Sequence, residues 1–168
     1  MRLLGLDPGL RTTGWGVIET DGNRLVWIAD GIVRSDDSLS LGERLEQLHR
    51  GVREVIDLYA PAEAAVEETF VNVNPASTLK LGQARGSVIV AAALAGLMVA
   101  EYAPTRVKQA VVGTGRADKE QVQMMIRRLL PGCTLKTADA ADALAVAVCH
   151  AHHRGTRNKI QAAMEGRA

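Results

Sequence analysis

Apolar and polar positions divide the chain into segments of two different periods. Leu3, Leu4 and Leu6 form a short apolar run that ends at Asp7, and Pro8-Gly9 then turns the chain. Residues 13–20 and 25–33 read as two further strands joined by Asp21-Gly22-Asn23, which is strong hairpin chemistry, so the first three elements predict an antiparallel meander. The period then lengthens. Leu41, Leu45, Leu48, Val52, Val55, Ile56 and Tyr59 recur at helical spacing behind a Ser40/Glu43 capping box, predicting an amphipathic helix stopped by Pro61. Ala64-Ala65-Val66 reads as a short buried strand running into Glu67; after a helical crossover it lies parallel to a neighbour.

Residues 72–75 read as a loop and 77–96 as a long, mostly apolar helix with Lys80 and Arg85 near its start. A last strand is expected over 97–102 and a helix over 104–112, ending at Gly113-Thr114-Gly115. Asp118 with Gln121 caps a helix that Pro131-Gly132 stops, and the final helix spans 138–153. A meander followed by helices alternating with two more strands predicts an α/β fold, a mixed five-stranded sheet flanked by helices. One domain is expected over residues 1–156, followed by a polar, frayed tail over 157–168.

With 168 residues and 47% apolar content, the chain can bury a core in a single domain. Cys133 and Cys149 are too few for a disulfide framework or a four-ligand zinc site, which favours a reducing compartment. The longest apolar run, residues 88–100, falls short of the roughly 20 residues of a membrane span. The chain enters its first strand without a basic export signal, so a cytoplasmic protein with no membrane association is expected. Charge is unevenly placed: residues 1–70 carry 7 Lys/Arg against 13 Asp/Glu, and residues 71–168 carry 13 against 6. A polyanion partner on one surface and metal-binding carboxylates on another would account for this asymmetry, as would solvated charge alone.

The final helix narrows the choice. Asp139 and Asp142 stand three apart in a segment of Ala, Leu, Val and Cys, so they face the same way and repel. Either they cap the helix, Asp139 as N-cap and Asp142 as the acid of the first turn, or they share a cation. Asp7 and Glu67 at two strand ends can join them if the helix begins beside the sheet edge. Four such acids would raise one another's pKa, and magnesium, which takes oxygen ligands, would relieve them. Two ions about 4 Å apart could activate a water and stabilise a leaving oxygen on a phosphodiester. His49, His150, His152 and His153 are not read as ligands, and Trp15 and Trp27 are read as sheet packing.

The stretches L-D-P-G-L-R-T-T-G-W-G-V, V-E-E-T-F, L-K-L-G-Q-A-R-G, V-K-Q-A-V-V-G, A-D-K-E-Q-V-Q and D-A-A-D-A-L-A, in this order, resemble the RuvC family of Holliday junction resolvases over roughly residues 2–153. The resemblance implies a ribonuclease H-like fold and a homodimer that nicks four-way DNA junctions symmetrically, in homologous recombination and DNA repair. It further implies two magnesium ions per site, with manganese able to substitute, and partnership with the RuvA-RuvB branch-migration complex. Asp7, Glu67, Asp139 and Asp142 match the family's metal-binding catalytic acids, with Glu67 chosen over Glu68 because the family's acid lies three residues before the Phe, here Phe70. Phe70 matches an aromatic that stacks on an unpaired base, and Lys108 and Lys119 match phosphate-contacting lysines. Lys119 also falls in the first turn of its predicted helix, where the dipole disfavours a cation unless an anion is near. Arg85, Lys80, Arg106 and Arg116 are further candidates for the DNA backbone path. The helix over 77–96 is a candidate dimer surface or else central core.

Two other functions share parts of this pattern. The opening stretch also resembles the first phosphate loop of the actin and sugar-kinase superfamily, but the second lobe and second glycine-rich loop are not found. The nearer alternative is another ribonuclease H-like nuclease acting on RNA-DNA hybrid or structured RNA. A non-catalytic junction-binding module is disfavoured because all four acids are present.

Overall fold

The computed structural model describes residues 1–68 and 74–165, with side chains described as far as 156. The elements are β1 (Arg2–Asp7), β2 (Thr12–Asp21), β3 (Arg24–Arg34), α1 (Leu41–Tyr59), β4 (Glu63–Glu67), α2 (Pro75–Leu94), β5 (Met98–Tyr102), α3 (Pro104–Val112), α4 (Lys119–Leu129) and α5 (Ala138–Glu165). The five strands form one sheet in the order β3-β2-β1-β4-β5. β1, β2 and β3 pair antiparallel, as the hairpin chemistry requires: Asp21 pairs with Arg24 across Gly22-Asn23, and Gly22 takes φ +57°. β4 returns through α1 to lie parallel to β1, and β5 returns through α2 to lie parallel to β4.

Strand alternation separates two cores. Leu4 and Leu6 of β1, with Val17, Ala64 and Val66, pack on Val52, Ile56, Val88 and Ala92 of α1 and α2. Leu3, Ile18 and Ala65 face the other way, against Leu144, Ala147 and Val148 of α5, with α3 and α4 closing the layer. On that second face the helix lies almost on the sheet backbone. A Cβ added to Gly5 would sit 2.1 Å from the carbonyl oxygen of Ala143, and one added to Gly14 would sit 2.0 Å from that of Asp139. No side chain fits either position, and the first turn of α5 is thereby set against the residue that pairs with Asp7, which is Gly14.

Two boundaries differ from the sequence expectation. α2 starts at Pro75 rather than Ser77, because Asn74 Oδ1 accepts from the backbone N–H groups of Ala76 and Ser77 at 3.0 and 3.3 Å. α5 continues to Glu165 instead of ending near His153, so residues 157–165, expected to fray, have helical backbone. α2 is also two-sided: Ala84, Val88, Ala91 and Ala92 are buried, whereas Leu79, Val90 and Leu94 are exposed. Among the described residues, no helix is long and apolar enough to cross a membrane.

Candidate active site

Three elements deliver the four acids to one edge of the sheet. β1 supplies Asp7, which by alternation shares the α5-facing side with Leu3 and Gly5. The turn that follows is closed by the buried Thr13 hydroxyl, which donates to the Gly9 carbonyl at 3.1 Å and accepts from the Gly9 N–H at 3.4 Å. In β4, Val66 is in register with Leu6, so Glu67 ends its strand beside Asp7 and on the same side as Ala65. Glu68 is exposed, and its backbone N–H donates to the Tyr102 carbonyl at 2.9 Å.

The third element is the start of α5, and here the capping alternative fails. Thr137 Oγ1 accepts from the Ala140 N–H at 3.2 Å and the Thr137 carbonyl accepts from Ala141, so the cap is Thr137 rather than Asp139. Asp139 and Asp142 remain half-buried at the head of an otherwise buried helix. Asp142 is held by Lys119, whose Nζ donates to Oδ2 at 3.3 Å from the first turn of α4. The cation that the α4 dipole disfavours is thus stabilised by a carboxylate, and the Asp142 charge raises the Lys119 pKa.

Charge repulsion shows in the pKa values. Asp7 is pushed up to about 8, first by burial and then by the charges of Glu67, Asp142 and Asp139, with Lys119 opposing. Glu67 rises to about 7, through burial and the Asp142 charge, opposed by Lys119 and Lys108. Beside them lies a pocket of about 210 Å³ lined by Glu67, Lys108, Lys119, Asp142, Val107 and Ala145. Among the described residues no three His, Cys, Asp or Glu side chains form a ready metal cage. The donor set nonetheless fits a hard divalent cation, because it offers only carboxylate oxygens, and such an ion would offset the burial and like-charge proximity that push Asp7 and Glu67 up.

Other expected residues fall elsewhere. Phe70 lies outside the described residues. Arg85 is turned inward, with Nε donating to the Glu67 backbone carbonyl at 3.1 Å and an Nη group paired with Glu101. These contacts hold Arg85 at the end of β4. Lys80, Arg106 and Arg116 are exposed, and Lys108 is half-buried at the pocket. His150 does not reach the acids; it is fully buried two turns along α5, between Tyr102 and Glu63. Thr137 and the two docking glycines went unread in the sequence. A Thr just ahead of an apolar run is a cap signal, whereas the glycine contacts have no local signature.

Fold and site together define a nuclease of the ribonuclease H-like class, with its carboxylates at the ends of β1 and β4 and the head of α5. The family model described as crossover junction endodeoxyribonuclease RuvC matches residues 3–150. The RuvC of Rhodospirillum rubrum is 69% identical over 166 residues, covering 99% of this chain and 98% of that protein. That of Paramagnetospirillum magneticum is 66% identical over 164 residues, covering 98% and 99%. The structure of T. thermophilus RuvC in complex with Holliday junction substrate superposes with a TM-score of 0.87 at 35% identity, over 93% of this chain and 96% of that one. The chain belongs to the RuvC family of crossover junction endodeoxyribonucleases, metal-dependent enzymes that resolve Holliday junctions in recombination and repair.

Proposed function

We propose that this chain resolves four-way DNA junctions by paired symmetrical nicks, using magnesium held by Asp7, Glu67, Asp139 and Asp142. Convergence of these acids from the ends of β1 and β4 and the head of α5, which lies on Gly14 opposite Asp7, is the observation that carries the reading. Asp7, Glu67, Asp139 and Asp142 would hold two magnesium ions, for which manganese could substitute, and the chemistry these would supply is activation of a water on one side of the phosphodiester and charge stabilisation of the leaving oxygen on the other. Asp7 and Glu67 must lose their protons before they can serve as ligands. Lys119 releases Asp142 as it turns to a phosphate oxygen, and Lys108 faces the same pocket from α3. Phe70 stacks on an unpaired base near the crossover. Arg85, the weakest of these DNA candidates, reaches phosphate only by exchanging Glu101 for it.

Two opposed cuts need two sites related by a two-fold axis, so a second copy docks on this one. The exposed apolar stripe of Leu79, Val90 and Leu94 on α2 suits that contact. The RuvA-RuvB complex delivers the junction in the cytoplasm, and the nuclease unit is residues 1–156. The test is cleavage of a labelled synthetic four-way junction with magnesium, beside a linear duplex and an RNA-DNA hybrid, for wild type and Asp7→Asn. Paired nicks in the junction alone, lost in the variant while binding persists, are expected. Cleavage of the hybrid with the junction left whole would instead assign an RNA-directed nuclease.

A further inference from the structure

On the α5 face of the sheet a second set of polar side chains lies largely buried. Arg154 Nε donates to Glu63 Oε1 at 2.8 Å, and His150 Nε2 donates to Glu63 Oε2 at 2.9 Å. On the other ring nitrogen, Nδ1, His150 shares a hydrogen bond of 2.9 Å with the Tyr102 hydroxyl. The Tyr102 ring is in turn stacked on His153, with centroids 5.2 Å apart and planes 15° from parallel. His150 is fully buried and Tyr102 nearly so, and Glu63, with 13% of its side chain exposed, is kept ionised by Arg154 and His150 against the cost of burial.

Three of the four members share an element with the active-site acids, and the fourth lies on the strand beside Glu67. Glu63 opens the strand that Glu67 closes, His150 follows Asp142 on α5, and Tyr102 stands in register with Glu67 on β5. From Asp142 to His150 the helix rises about 12 Å. From Glu67 back to Glu63 the strand spans about 13 Å. α5 therefore runs antiparallel to β4 with matched spans, and the two elements meet at both ends.

Between those ends the packing is close. Gly5 and Gly14 meet helix backbone, which fixes the height of α5 above the sheet, and Leu144 seats against Gly16; this apolar contact carries no directional bond along the helix axis. At the acid end, Glu67 and Asp142 bring like charge together rather than an attractive contact. We infer that the Arg154–Glu63–His150–Tyr102 chain is a positioning network that sets the axial register of α5 on β4, and hence the distance of Asp139 and Asp142 from Glu67. These are positioning residues; none of them touches the reacting atoms. Directional hydrogen bonds suit this role where apolar contacts do not, because they fail within an ångström of displacement.

The inference rests on the reading of the four acids as metal ligands. Its test uses the full chain carrying Tyr102→Phe or Glu63→Gln, which remove one hydroxyl or one charge, with Val146→Ala as a core variant of comparable destabilisation. Mn2+ affinity is measured by electron paramagnetic resonance, junction affinity without divalent metal by gel shift, and folding by thermal melt. We expect both network variants to weaken Mn2+ binding by about 10-fold, the lower end of what groups outside the ligand set contribute to metal affinity, with junction affinity unchanged. Val146→Ala should lower the melting temperature and leave Mn2+ affinity intact. Network variants that melt lower yet bind Mn2+ like wild type would overturn the inference alone. Asp7→Asn separates the two readings: if it kept wild-type Mn2+ affinity, the assignment of the acids would fail, and the positioning role with it.

Discussion

The two faces of the sheet are built on opposite rules. Leu6 and Asp7 are neighbours in β1, yet Leu6 enters a core of Val52, Val55, Ile56 and Val88, whereas Asp7 points toward a helix resting on glycine. The α1/α2 face fills space with branched side chains and tolerates changes of volume at a cost in stability. The α5 face gives up side chains so that helix backbone can approach strand backbone, which holds Asp139 beside the partner of Asp7 to within the tolerance of van der Waals contact. Burial on the first face stabilises the fold, and closeness on the second places the chemistry.

The sharpest way to break that contrast is to add a methyl group to the close face. Gly5→Ala and Gly14→Ala should each cost more than about 3 kcal/mol or prevent folding, since the clash is with backbone rather than a movable side chain; urea melts measure this. Next comes the neighbouring pair. Leu6→Ala should lose about 2–5 kcal/mol in the same melts and retain cleavage per folded molecule. Asp7→Asn should do the reverse, abolishing cleavage while raising the melting temperature of metal-free protein, because it removes a buried, repelled acid.

A smaller effect is expected with pH. Asp7 and Glu67 hold protons in the fold that the unfolded chain has already released, so their contribution to metal-free stability is fully present below about 4 and is lost as pH rises toward about 8. Magnesium should restore more of the melting temperature at pH 8 than at pH 6, and an equal effect at both would remove the four acids from consideration as its ligands. Lys119→Gln should shift the Mn2+ binding profile toward higher pH, by well under a unit because the ammonium is largely exposed. Smallest of all, Ser40→Ala removes the α1 cap and should cost about 1 kcal/mol without touching cleavage, as judged by melt and junction assay together.

Features encoded over a few residues could be read from the sequence alone. The meander, the Ser40/Glu43 and Asp118/Gln121 capping boxes and the placing of Asp7 and Glu67 at strand ends all rest on contacts within one or two turns. The same local reading missed Asn74, whose cap lies ahead of the apolar periodicity, and left Thr137 unweighed against the more conspicuous Asp139. What escaped altogether joins residues far apart in the chain: Arg85 to the Glu67 carbonyl, Lys119 to Asp142, and Glu63 to His150. Their partners are chosen by how α2, α4 and α5 pack against the sheet and one another, and no periodicity announces that packing. Family resemblance supplied the acids but not what holds them in place.

The seam between α5 and the sheet has one more property. Gly5 and Gly14 are already at the lower limit of side-chain size, and Ala143 and Ala147 opposite Gly5 are one step above it. Across most of the core a substitution can enlarge or shrink, and a neighbouring change can compensate. Here nearly every available change is an enlargement, and the opposing surface has almost nothing left to trim. Random mutation should therefore find this seam a one-way street, closed to the paired exchanges by which the other face can drift.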